Sequence, residues 1–144
     1  MRKKYTLRGV AAAGSKEVIF DNDLRGVGWR VTNFFVIPNN LDVAPYVWGK
    51  LWMGGDLGGS LGFSDMTDNR CIAWGAASSL DPTARGSNRW SFIDPDHIIT
   101  NQLHIHSGSG DSLAYLIELE QMDLTTDQEV LALIKERSQD DIDG

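Results

Sequence analysis

Hydrophobic and polar positions alternate with a period of two along most of this chain, a pattern that predicts strands joined by polar turns. The alternation is cleanest between His97 and Gln121. Ile99, Leu103 and Ile105 take one parity there, and Thr100, Gln102, His104 and His106 take the other. Further on, Leu113, Tyr115, Ile117 and Leu119 alternate with Ala114, Leu116, Glu118 and Glu120. Ser107 to Asp111 supplies the Gly and Asp of a turn, so the stretch predicts a β-hairpin. Keeping both apolar faces on one core sets Leu103 opposite Tyr115 and Ile105 opposite Leu113, because a one-residue slip turns a strand inside out.

Upstream, β-branched and aromatic runs predict six more strands: Tyr5 to Val10, Lys16 to Asp21, Gly28 to Ile37, Tyr46 to Met53, Arg70 to Ala76 and Asn88 to Ile93. Eight short strands with turn-rich connections predict an all-β fold, an eight-stranded jelly-roll β-sandwich over residues 1–121. Residues 122–144 predict a C-terminal amphipathic helix and acidic tail, packed on the same domain or on a neighbour. Thr126 and Glu129 form its capping box, and Val130, Leu133 and Ile134 its apolar stripe.

Composition changes this picture little. The chain has 144 residues, 42% of them hydrophobic, enough for one packed core without disulfides. Its single cysteine, Cys71, reads as a small buried hydrophobe. No apolar run approaches a membrane span, and Arg8 interrupts the opening stretch too early for a secretion signal. Charge is more informative. The net charge is −7, yet Arg2, Lys3, Lys4 and Arg8 make the start basic, a candidate contact for a polyanion, either nucleic acid or a membrane surface.

Candidate chemistry is sparse. The glycines between Gly54 and Gly62 lack both the Gly-Lys-Ser/Thr ending of a P-loop and the spacing of a dinucleotide fold. Asp21 to Gly26 opens like a calcium loop, but Arg25 and Thr32 stand at ligand positions. His104, His106 and Asp111 form H-x-H-x4-D, which resembles part of the cupin metal motif. In the predicted hairpin both histidines lie opposite the core and read as surface residues, with His97 and Asp111 as the only further ligands in reach. Neither a metal nor another cofactor is expected. Glu118 and Glu120 share one strand, whereas catalytic carboxylates face each other across a cleft. No enzyme activity is expected. Trp48 and Trp52 flank Lys50 on one face, a candidate for ring stacking or for a subunit contact.

The whole layout, a basic start, eight strands and a short C-terminal helix ending in YLIELEQMDLTTDQEVLALIKERSQ, resembles small single jelly-roll virion proteins of the bacteriophage kind. That resemblance implies a capsid subunit, located in the virion, that packs beside copies of itself and other virion proteins. It also implies a basic end directed inward, and no catalysis. Trp48, Trp52, Val130, Leu133 and Ile134 are then candidate subunit contacts. The alternatives are a lectin-like carbohydrate-binding sandwich, in which Asp65 and Asp68 hold calcium, and a cupin-like metal protein built on His104 and His106.

Overall fold

The computed structural model describes residues 3–39, 46–54, 68–79, 87–108 and 112–124. The predicted helix with Val130, Leu133 and Ile134 lies outside them, as do Arg2, Asp65 and Asp111. Eight strands follow in order: β1 (Lys4–Ala11), β2 (Lys16–Asp21), β3 (Val27–Pro38), β4 (Tyr46–Met53), β5 (Cys71–Ser79), β6 (Ser87–Ile93), β7 (Gln102–Ser107) and β8 (Leu113–Asp123). They form two antiparallel sheets, a three-stranded one ordered β1-β8-β3 and a five-stranded one ordered β2-β7-β4-β5-β6.

This is a β-sandwich in which the first strand pairs with the last, the second with the seventh and the fourth with the fifth. Such nesting results when a long antiparallel ribbon is folded at its middle and rolled, as in a jelly roll. The pair that would complete the nest, third with sixth, is not hydrogen-bonded. Instead β6 stays in register with β5, and β3 packs across the mouth of the sandwich, leaving a cleft lined by Phe34, Phe35, Val36, Trp90 and Ser91.

The predicted hairpin is not formed. β7 lies between β2 and β4, with Leu103 opposite Phe20 and Met53. β8 lies in the other sheet between β1 and β3, with Tyr115 opposite Gly9 and Val36. The odd-numbered residues do share one core, since Leu103, Ile105, Leu113, Ile117 and Leu119 are all fully buried. They meet face to face across the sandwich rather than side by side in one sheet. Alternation specifies the buried face of a strand, and a loop long enough to cross between sheets satisfies it as well as a turn does.

Trp29, Val31, Phe34 and Val36 complete the core from β3, with Val47, Leu51 and Met53 from β4. The turn between β2 and β3 is organised by Asn22. Its Nδ2 donates to the carbonyls of Val27 at 2.8 Å and Thr100 at 3.2 Å, while its Oδ1 accepts from Trp29 Nε1 at 3.2 Å. Trp29 is in turn bridged to Ile99 by two backbone hydrogen bonds. His97 extends the cover of β3's first half: its Nε2 accepts from the Val31 amide at 3.0 Å, and its Nδ1 is hydrogen-bonded to the Asp94 carbonyl.

Candidate interaction surfaces

Registers within the five-stranded sheet align the side chains of its outer face into cross-strand rows. One row runs Lys16, His106, Lys50, Trp74, Phe92 from β2 to β6. The next runs Val18, His104, Trp52, Cys71, where a bulge between Leu51 and Trp52 shifts the register. Lys50, Trp52, His104 and His106 are all 0% exposed. The expectation that both histidines are surface residues is therefore corrected: they lie opposite the sandwich core but inside a second packed layer.

That layer is built on one indole. The Arg70 guanidinium lies 4.8 Å from the Trp52 ring centroid, the His106 imidazole stacks on it at 5.4 Å and 21°, and Lys50 Nζ is 5.8 Å away. Cations and imidazole planes gain from an aromatic face once water is excluded. Asp68 fixes the guanidinium plane through a bidentate pair, Nη2 to Oδ2 at 2.8 Å and Nε to Oδ1 at 3.1 Å, and also accepts from the Arg70 amide. Asp68 thus serves as the anchor of Arg70. Trp52 has no open ring face for a sugar, and Trp48, half-buried on the same side, lies over Gly108.

His97 does not join His104 and His106, because its Nε2 is engaged by the Val31 amide at the edge of the other sheet and its Nδ1 by the Asp94 carbonyl just after β6. Among the described residues no group of three His, Cys, Asp or Glu is placed to hold a metal ion.

On the outer face of the three-stranded sheet, Glu120 stands between Lys4 and Arg30, and Glu118 between Thr6 and Asn33. A carboxylate flanked by two cations across strands is a charge row, here with Glu120 and Arg30 half-buried. Lys3, Lys4 and Arg8 are all exposed. The other end of this face is apolar, with Leu116 between Arg8 and Phe35, and Ala114 between Val10 and Ile37. Val10 and Phe35 are exposed there.

β6 carries the feature that sequence reasoning missed. Trp90 is 49% and Phe92 56% exposed, on the outer face of a strand at the sheet's edge. The signal was in the segment NRWSFI, where two large aromatics share one parity between polar residues. Phe92 packs against Trp74, with ring centroids 5.9 Å apart, so the buried aromatic layer continues out to the exposed edge.

No protein-family model matches this chain, and no curated protein sequence matches it. Among solved structures it is similar to one described under "Bacillus endospore appendages form a novel family of disulfide-linked pili", with 10% identity over 87% of this chain and 88% of that chain, at a TM-score of 0.40. A likeness at that level adds nothing to the sandwich already described.

Proposed function

We propose that this chain is a structural subunit that assembles with copies of itself, and that the assembly is the shell of a virion. The observation that carries self-assembly is the placing of large exposed apolar side chains on two separate outer faces. Tyr46, Trp90 and Phe92 lie on the five-stranded sheet, and Val10 and Phe35 on the three-stranded one. A subunit that propagates an assembly needs more than one contact surface, and exposed apolar patches are what such contacts bury. The virion shell as destination rests on the resemblance of the sequence layout to jelly-roll coat proteins. The reading assigns the chain no catalytic step.

Light scattering of the purified protein across concentration and salt, with negative-stain images of the same samples, tests it. Oligomers that grow with concentration are expected, and closed shells would carry the virion reading. A monomer under every condition overturns self-assembly. Chelator-sensitive glycan binding by that monomer would put a lectin-like role in its place.

A further inference from the structure

Two sheets present four outer strands: β1, β3, β2 and β6. An edge strand offers unpaired N–H and C=O groups to any passing strand, and native proteins blunt such edges with charge, bulges, proline or a covering segment. Three of the four are blunted. β1 exposes Lys4 and Arg8. β2 begins at Lys16 and bulges between Val18 and Phe20. The first half of β3 is covered through Trp29 to Ile99 and Val31 to His97, and the strand ends at Pro38, which has no N–H to give.

β6 has no bulge in its pairing with β5 and no proline in SNRWSFI, and its one charged residue, Arg89, lies toward the start of the strand. Instead it exposes Trp90 and Phe92.

Resting on the reading of the chain as a self-assembling subunit, we infer that β6 is a subunit contact, pairing antiparallel with β6 of a second copy about a two-fold axis at Ser91. The two five-stranded sheets then become one continuous ten-stranded sheet, following the observed strand order. Residues directly opposite in an antiparallel pair project to the same face, so the numbers of facing residues must sum to an even value for the outer faces to coincide.

Among the even registers, the one centred on Ser91 sets Trp90 against Phe92 of the partner subunit and, by symmetry, Phe92 against Trp90 of the partner subunit. A register centred on Trp90 leaves Phe92 facing Asn88 of the partner subunit. One centred on Phe92 leaves Trp90 facing Asp94 of the partner subunit. Only the Ser91 register gives every exposed aromatic an aromatic opposite it.

The register makes a sharp test. At the axis, Ser91 meets its own copy with Cα atoms roughly 4.5–5.5 Å apart, inside the range a disulfide spans. Trp90 and its own copy are offset along the strands, at roughly 8 Å, beyond that range. Mild oxidation of the S91C chain is expected to give a covalent dimer on a non-reducing gel, and the W90C chain is expected to stay uncrosslinked. The native Cys71 is buried and does not compete.

The F92K chain, altered at an exposed position, is expected to keep its circular dichroism spectrum and weaken self-association by roughly 100-fold, as loss of a central aromatic from both partners implies. Oligomers of unchanged mass and affinity in F92K, or equal crosslinking of S91C and W90C, overturn this contact while leaving self-assembly intact. A wild-type chain that is monomeric at all concentrations overturns both.

Discussion

The ring of Phe34 rests on the backbone of Gly75, where an added Cβ would stand 3.1 Å from Phe34 Cε2, 3.3 Å from its Cδ2 and 3.3 Å from Val36 Cγ2. Gly49 is the cross-strand partner of Gly75, and a Cβ there would come within 3.0 Å of Leu113 Cδ2. Two glycines facing each other across β4 and β5 thus make a flat patch on which the other sheet seats its largest fully buried phenylalanine. Glycine inside a strand weakens it locally, and close approach of another layer is a recurring reason for its presence.

G75A is therefore expected to destabilise the fold by about 1–3 kcal/mol, the usual cost of overpacking a filled core. Phe34 is almost fully buried, so a shift away from the new methyl must displace its neighbours. The double change G75A/F34L is expected to be less destabilising than the sum of the two single changes, because the shorter side chain vacates the space the new methyl needs. Urea unfolding of the four proteins measures this, and strict additivity would show that the two residues do not compete for the same space.

Strand positions and buried faces were legible because a period of two is written locally, and the odd parity of Leu103, Ile105, Leu113, Ile117 and Leu119 marks the core correctly. Partners were not legible. Whether Leu103 sits beside Tyr115 or across the sandwich from β8 depends on the path of the connection through Gly108 and Ser112, whose backbone groups bond to Trp48, Gly14 and Asn39 from distant segments. The second packed layer was hidden for a related reason. Lys50, His104 and His106 carry polar labels at outward positions, and nothing local records that Trp52 and the Asp68-held Arg70 are placed to pack with them.

Removing the anchor of that layer separates packing from charge. Asp68 and Arg70 are both largely buried, and deleting one member of a buried ion pair strands the other. D68A is expected to cost about 3–5 kcal/mol. The conservative R70K retains charge but loses the planar, two-bonded geometry over Trp52, and is expected to be destabilising by a smaller amount. Thermal unfolding monitored by tryptophan fluorescence ranks the two, and a larger loss in R70K than in D68A would contradict the stranded-charge account.

Asn22 joins three segments with one side chain, and each variant isolates a different part of it. N22D keeps an acceptor for Trp29 Nε1 but loses the donor to the Val27 and Thr100 carbonyls, while N22A loses both. Both are expected to destabilise, N22A by about 1–3 kcal/mol, since partly buried carbonyls and an indole N–H are left without partners. Equal stability of N22A and wild type in chemical denaturation would remove Asn22 from its place as the organiser of this turn.

Burial, and secondarily the Glu17 carboxylate, push the Tyr115 phenol above its ordinary value of 10.0. The protonated phenol is thus favoured by folding. Its contribution to stability is complete below the unfolded-state value and is lost as pH rises through the higher folded-state one. Phenolate absorbance in an alkaline titration is expected to show a step above 10.0 that is absent from Y115F. The same ring covers Gly9, where a Cβ would stand 2.5 Å from Tyr115 Oη. G9A is accordingly expected to lift the ring and return the Tyr115 step toward the ordinary value of 10.0.

The Val31 amide gives the last prediction, because it connects stability to assembly. It donates to His97 Nε2 at 3.0 Å in a buried site, on the side of β3 that faces away from β8. In H97A that N–H loses its acceptor, at an expected cost of about 1–3 kcal/mol, and its hydrogen exchange is expected to accelerate by roughly tenfold or more. The loss also uncovers an edge that is blunted in the wild type. An uncovered, largely apolar strand edge recruits other strands, so H97A is expected to associate more strongly than the wild type, and H97A/F92K more strongly than F92K. Light scattering of the H97A/F92K chain decides the matter: association restored relative to F92K alone places a second, normally guarded edge at β3, and a mass unchanged from F92K alone shows that His97 stabilises the fold without guarding it.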